Sequence, residues 1–291
     1  MKKILVPVDF SKHTHVSSRF ALQIARVCGS EIVLFHSFFD QFYYSDGGIT
    51  TGFESGIMMT DEIILDFYKQ KENLLGKLKE ELISQLDEKE NSQVQVSCIM
   101  ESGNPEVQII RAIELIRPDL IVMGSGGMGR KGLLAGSVAR RIIDHTTLPV
   151  IAVPEISETP EIKNVAFMTT FNAEDPIAIN QLDSMMQDFR LNVFCLHLSK
   201  NEKDSEAAFK MKALSENKLL KPLEGRISFF IVKQDHGSEI LQEFMAAHHI
   251  SLISFIPHQR NIFENLFYQG ITREELFRVH LPMIALRPVQ Q

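Results

Sequence analysis

The sequence has no tryptophan, only three cysteines and no apolar run that approaches the ~20 residues of a membrane-spanning helix. Cys28, Cys98 and Cys195 are far apart and odd in number, which predicts buried free thiols in a reducing compartment. The N-terminus starts directly with a strand-like run, Ile4–Val6, without the layout of a signal peptide. We therefore expect a cytoplasmic protein that does not bind membranes.

The sequence also has no excess of basic residues. The formal net charge is −7, from 30 Lys and Arg against 37 Asp and Glu, which disfavours general binding to nucleic acid. The composition, 44% hydrophobic and 23% charged, is close to that of soluble globular proteins and excludes disordered, collagen-like and coiled-coil classes. A length of 291 residues favours two domains.

Short apolar runs alternate with helical patterns through the first half. Ser11 is expected to cap the first helix, Gly29 to close it, and Pro105 to open another. Strands that are apolar throughout, with helices between them, predict a doubly wound, Rossmann-like α/β fold with a parallel sheet. The predicted strands are Ile4–Val8, Ile32–Phe35, Val94–Ile99, Leu120–Met123 and Val150–Val153.

The second half repeats the order of the first. Gly136 and Gly270 are 134 positions apart, and each is expected between a strand and a helix. This offset and the 161 positions that separate His36 from His197 predict two tandem domains, residues 1–154 and 161–291, joined by a short polar linker. The fifth strand of each domain is an apolar sheet edge, and such edges tend to be paired or covered.

Two segments add length to the first half. Residues 38–59 are rich in Phe, Tyr and Gly without a clear period, which predicts a lid, a subunit contact or a disordered loop. The charged stretch Lys69–Glu90 has opposite charges at helical spacing and is typical of the solvated face of one long helix.

Asp9 and a glycine-rich segment follow the first and fourth strands. Ligands bind at the carboxyl ends of parallel strands where the strand order reverses, so both features face one crevice if these strands are neighbours. Glycines allow backbone N–H groups to approach phosphate, and the helix after Ser137 adds donors at its start. Asp9 suits a ribose hydroxyl or a bridging cation. The alternative is a mobile glycine loop beside a helix-capping Asp.

Other motifs are incomplete. The G-x-G-x-x-G pattern at 124–129 follows the fourth strand and lacks the acid that holds ribose, which disfavours an NAD-dependent dehydrogenase. No Gly-Lys-Ser/Thr triplet of a phosphate loop is present. The histidines lack the spacing of a zinc site, and His36 and His197 at matching strand ends are interpreted as packed structural residues.

Several of these stretches together resemble the universal stress protein family. They are Ile4 to Ser11, Gly103 to Pro105, Val122 to Ser137 and Leu148 to Val153. The similarity covers the first half and, more weakly, the second. It implies a tandem, UspA-like protein with two adenine nucleotide alpha hydrolase-like domains. In the family's nucleotide-binding branch, ATP binds at a Gly-x2-Gly-x9-Gly-Ser/Thr loop after the fourth strand.

The resemblance also implies individual binding residues. Asp9 would contact ribose or metal, the backbone of Ser37 would contact adenine, and Gly124 would line the adenosine side. Phosphates would lie on the glycines, Ser137 and the Val138 amide. The complete expected set is Pro7, Asp9, Ser37, Met123, Gly124, Gly126, Gly127, Arg130, Gly136, Ser137 and Val138. Only eight residues separate Gly127 from Gly136, so the loop is one residue shorter than the family's pattern.

The second half lacks these expected binding residues. Thr170 stands where the first half has Asp9, and Ile256-Pro257 cannot form an amide nest because Pro has no N–H. The resulting prediction is a cytoplasmic stress-response regulator that binds ATP with Mg²⁺ in its first domain. It would have no catalytic residues and at most slow ATP hydrolysis. We expect an internal pseudo-dimer and a possible homodimer. The alternative is a non-nucleotide interaction module that uses residues 38–59 or the second domain.

Overall fold

The computed structural model describes residues 1–38, 42–45, 48–51, 61–125, 137–155, 160–199, 204–233, 238–257 and 280–288. Its first half alternates strands and helices. The elements are β1 (Lys3–Val8), α1 (Lys12–Cys28), β2 (Glu31–Phe38), β3 (Phe42–Ser45), β4 (Gly48–Thr51), α2 (Asp61–Ser84), α3 (Glu88–Gln93), β5 (Val96–Ser102), α4 (Pro105–Ile116), β6 (Leu120–Gly124), α5 (Ser137–His145) and β7 (Val150–Val153).

The second half follows the same plan with shorter helices. Two short 3-10 helices, Gln187–Phe189 and Lys218–Leu223, lie between its elements. The elements are β8 (Asn164–Met168), α6 (Asp175–Met185), β9 (Asn192–Ser199), α7 (Ser205–Ser215), β10 (Ile227–Lys233), α8 (Ser238–Ala247), β11 (Leu252–Phe255) and β12 (Met283–Ala285).

Ten of the described strands form one sheet in the order β10-β9-β8-β11-β12-β7-β6-β1-β2-β5. In this sheet, all neighbouring strands of the first half are parallel. The strand order reverses between β1 and β6, as in a doubly wound fold. β7 and β12 pair antiparallel, with Ile151 opposite Ile284. The pairing expected between the fifth strands is therefore present, and it joins the two halves within one chain.

Backbone details repeat 161 positions apart, which is the offset between His36 and His197 in the sequence. Phe10 and Phe171 both adopt left-handed φ, 59° and 61°, a conformation that bulky residues rarely adopt. His36 and His197 are both buried, and each Nδ1 lies 2.7 or 3.0 Å from a carbonyl at the end of the first strand of its half. Because a carbonyl only accepts, each Nδ1 carries the proton. Both histidines are packed as the sequence predicted.

Apolar side chains cover both faces of the sheet. One cluster, under α1, α2 and α6, runs across both halves and includes Phe20, Ile151, Phe167 and Ile284, all with no solvent exposure. The other face packs against α4, α5 and α8. This two-sided burial is why the strands are apolar throughout.

Several local predictions need correction. Ser11 is the N-cap residue of α1, but its hydroxyl donates to Asp9 instead of accepting from the helix. The predicted long helix is two helices, because Asp87 and Glu90 form a capping box that starts α3. The strand predicted at Val94–Ile99 is β5, which begins two residues later, at Val96. Residues 38–59 contain the hairpin of β3 and β4.

The cysteines fit the sequence prediction only in part. All three are free, and Cys195 is buried among apolar side chains. Cys28 is half-buried. Cys98 is exposed on β5, which is the last strand at one end of the described sheet, so the prediction of burial was wrong there. None of the helices in the described ranges combines the length and the hydropathy that a membrane span requires.

Candidate functional site

A cavity of about 330 Å³ lies at the carboxyl ends of the strands, where β1 and β6 lie side by side. This volume is at the lower end of the range for small-molecule sites. The cavity draws residues from β1, β2, β6, α1, α2, α4 and α5. It is lined by Pro7, Val8, Asp9, Thr14, Phe35, His36, Ser37, Phe38, Phe67, Lys71, Pro105, Ile109, Met123, Gly124, Val138 and Ala139.

The cavity brings together part of the predicted binding set. The members that line it are Pro7, Asp9, Ser37, Met123, Gly124 and Val138. Ser137 is the first residue of α5. Gly126, Gly127, Arg130 and Gly136 lie outside the described residues. The role of each residue in ligand binding stays a prediction.

Asp9 is held in one orientation by the start of α1. Its Oδ1 accepts from the Ser11 amide at 2.9 Å, the Ser11 hydroxyl at 2.6 Å and the Thr14 hydroxyl at 2.8 Å. The Asp9 amide in turn donates to Thr14 Oγ1 at 3.2 Å. Within the described residues Oδ2 has no hydrogen-bond partner, so it is the atom that can accept from a ligand in the cavity.

His36 forms part of the cavity wall. Its ring lies 4.5 Å from the Phe10 ring, measured between centroids. Burial lowers the pKa of His36, and the charge of Lys71 acts in the same direction, whereas the Val8 carbonyl and Asp9 oppose the shift. With Nδ1 protonated toward Val8, the distal Nε2 carries the lone pair of the neutral ring.

Ser37 and α4 close the cavity from the side of the edge strand. The Ser37 hydroxyl donates to the Gly103 carbonyl at 2.8 Å, which ties β2 to the turn before α4. Asn104 caps α4 by accepting from the Glu106 amide at 2.9 Å. Pro105 occupies the first turn, where a missing N–H costs nothing, and it lines the cavity.

α5 turns its N-terminal end toward the cavity. Val138 and Ala139, in its first turn, line the wall. First-turn N–H groups have no partner within a helix, and the dipole favours a negative charge there. The helix is fixed by the Arg141–Glu106 ion pair at 2.6 Å and by Arg287, which follows β12 and donates to a last-turn carbonyl at 3.1 and 3.2 Å.

Comparisons with known proteins agree with this fold. Residues 1–154 match the universal stress protein family. The chain belongs to that family. A universal stress protein of Methanocaldococcus jannaschii is 27% identical over 157 residues, 52% of this chain and 94% of that protein. A solved universal stress protein from Archaeoglobus fulgidus covers 98% of this chain and 96% of its own, with a TM-score of 0.68 and 16% identity, which shows the fold alone.

A solved universal stress protein family member from Arabidopsis thaliana has AMP bound. It is 20% identical to this universal stress protein and covers 55% of this chain and 97% of its own, with a TM-score of 0.35.

The second half of this universal stress protein fills the corresponding place differently. Gly124 is the last residue of β6, and Ile256 occupies the matching position directly after β11. Ile256 is 8% exposed and packs in an apolar cluster. Thr170 replaces Asp9, and an acid, Asp175, stands where the first half has Thr14. Asp175 is 2% exposed and accepts from the Thr169 hydroxyl and from the Asn172 amide at 3.0 Å. Its carboxylate is thus enclosed in local contacts.

The contribution of α2 to the cavity wall was not predicted from the sequence. Phe67 and Lys71 line the cavity although they belong to a helix whose charged residues were interpreted as a solvated face. The available signal was their spacing of four residues, which places them on one side of a helix. The packing of α2 against β2 and β5 places this side at the edge of the cavity, where Phe67 remains 41% exposed.

Proposed function

We propose that this universal stress protein binds ATP in the cavity of its first half and acts as a stress-response regulator. The observation that carries the proposal is Asp9, whose Oδ1 is fixed by three donors and whose Oδ2 is left for a ligand hydroxyl. The apolar walls suit a purine ring. The first turn of α5 suits phosphate.

Mg²⁺ would accompany the triphosphate. Asp9 is the only carboxylate among the described lining residues, and no group of three metal-binding side chains occurs in the described part of the chain. A hard cation in this cavity would therefore take most of its oxygen ligands from phosphate and water, as Mg²⁺ commonly does. The same scarcity of carboxylates is the reason to propose slow hydrolysis or none.

Calorimetric titration with Mg-ATP tests the proposal. We expect one site per chain with micromolar affinity. Asp9→Asn keeps the size of the side chain but removes the charge and the Oδ2 acceptor, so affinity should fall about 10- to 100-fold. Thr170→Ala, at the matching position of the second half, is the control and should leave affinity unchanged.

A second variant blocks the cavity. Gly124→Ile places in the first half the residue that the second half has at Ile256, and the added side chain should abolish ATP binding without unfolding the protein. No binding by the unaltered protein, or binding unaffected by both first-half variants, would contradict the proposal. Either result would favour the interaction module that uses residues 38–59 or the second half.

Location and assembly are part of the same proposal. We propose a cytoplasmic protein whose two domains, residues 1–154 and 161–291, act as an internal pseudo-dimer. A further homodimer is proposed because β5 and β10 are the outer strands of the described sheet. Sedimentation that shows a strict monomer at micromolar concentration and above would exclude the homodimer.

A further inference from the structure

Lys71 is a lysine of α2 that is turned toward the cavity. Its Nζ lies 5.2 Å from the ring centroid of Phe10 and 5.2 Å from that of Phe67. Both distances are within the range of cation–π attraction. Phe67 lies one helical turn before Lys71, and both line the cavity. The ammonium group therefore lies near two aromatic rings at the wall of the cavity, at its outer edge where Phe67 is 41% exposed.

The charge of Lys71 is not neutralised within the described residues. No carboxylate among them lies within 4.0 Å of its Nζ, and Asp9 is the only acidic lining residue. Asp9 itself is engaged through Oδ1 with Ser11 and Thr14. Burial lowers the pKa of the neighbouring His36, which disfavours a second positive charge beside Lys71. A cation held over phenyl rings in a largely apolar cavity favours an anionic ligand, because Coulomb attraction is stronger away from water.

The second half provides an internal comparison. Burial and the positive charge of Lys210, on α7, lower the pKa of His197, just as burial and the charge of Lys71 lower the pKa of His36. The residue four positions before Lys210 is Glu206, which pairs with it at 2.6 Å. In the first half that place is taken by Phe67. The lysine of the second half thus has an acidic partner on its own helix, whereas Phe67 takes the place of that partner in the first half.

We propose that Lys71 is an anion-binding residue of the cavity, whose ammonium group contacts a phosphate of the bound nucleotide. This inference rests on the proposed function and adds to it a residue from outside the glycine-rich loop. A lysine ammonium offers three donors and a compact charge, which suits phosphate oxygens. Lys71 would give the site its preference for phosphorylated ligands over a nucleoside.

Titration of the full-length protein and three variants tests this role. Lys71→Gln removes the charge, Lys71→Arg keeps it, and Lys210→Gln is the matched control in the second half. Each is titrated with Mg-ATP, AMP and adenosine. A lost charge-assisted hydrogen bond should lower the affinity of Lys71→Gln for ATP about 10- to 100-fold. Adenosine affinity should change less than about twofold, Lys71→Arg should recover most of the loss, and Lys210→Gln should match the unaltered protein.

The outcomes separate this inference from the proposed function. If the unaltered protein binds ATP and Lys71→Gln binds it equally well, or loses adenosine affinity to the same degree, Lys71 is only a packing residue and the inference is wrong. If the unaltered protein binds no nucleotide, inorganic tripolyphosphate still tests Lys71. Tripolyphosphate should raise the Tm of the unaltered protein and Lys210→Gln more than that of Lys71→Gln. An equal shift in all three would overturn the inference.

Discussion

At the scale of single residues, the two halves differ by an exchange of an acid and a threonine. In the first half Asp9 follows the strand and Thr14 donates to it. In the second half Thr170 follows the strand, and Asp175, which corresponds to Thr14, is the buried acid. The exchange moves the carboxylate from the rim of a cavity into the protein interior. The same fold thus gives a potential ligand group in one half and an internal contact in the other.

Asp175 should make the stability of the protein depend on pH. Burial raises its pKa to about 6 from 3.8, although hydrogen bonds from Thr169 and Asn172 oppose the shift. Because the folded state binds this proton more tightly, its contribution is largest below pH 4 and is lost as the pH rises to about 6. The change should be about 2–3 kcal/mol. Urea unfolding of the unaltered protein and Asp175→Asn from pH 4 to 7 measures it.

The control for this prediction is Asp183→Asn. Asp183 is paired with Arg226 at 2.7 Å near the surface, so its removal should lower stability without reproducing the Asp175 profile. A difference between Asp175→Asn and the unaltered protein that stays constant from pH 4 to 7 would contradict the prediction.

At the scale of elements, local signals predicted the fold and missed the contacts between distant segments. The parallel strands, α1 with Gly29 at its end, and α4 with Asn104 and Pro105 at its start follow from apolar runs and capping residues. Asp87 and Glu90 carried the signal for the break before α3, but it was overlooked in a charged stretch.

The candidate site likewise depends on contacts between distant segments, which the sequence did not predict. Asp9 and Gly124 were predictable because each directly follows a recognisable strand. Lys71 was not, because its direction depends on how α2 packs on the sheet. Arg287 was not predictable either, since it contacts α5 across 143 or more positions of the chain.

Arg287 should stabilise α5 from its C-terminal end. Its guanidinium donates to the Ile143 carbonyl at 3.1 and 3.2 Å and to the Asp144 carbonyl at 3.5 Å, where the helix dipole also favours a positive charge. Arg287→Met should lower the free energy of unfolding by about 1–2 kcal/mol. It should also speed hydrogen exchange of α5 amides more than those of α1.

The control lies on the same helix. Arg140 makes an exposed ion pair with Asp144 at 3.9 Å, so Arg140→Met should change stability by less than about 0.5 kcal/mol. Equal effects of Arg140→Met and Arg287→Met on the free energy of unfolding would show that Arg287 stabilises α5 no more than an exposed ion pair does.

At the scale of the whole molecule, the two halves share both a sheet and a core. The β7–β12 pairing places Ile151 opposite Ile284, and both belong to the apolar cluster that continues from β1 to β9. Neither side chain has any solvent exposure. A half that unfolded alone would expose this seam to water, so we expect the two halves to unfold together.

Ile284→Ala tests this coupling from the second half. The substitution should cost about 2–4 kcal/mol, because it removes buried methyl groups and leaves a cavity beside Ile151. If the core is shared, calorimetry should show one transition at a lower Tm, and amides of β1 should exchange faster together with those of β9. Leu115→Ala, at a side chain that is 82% exposed, should change neither. Faster exchange confined to the second half would mean that the seam joins two independently stable units.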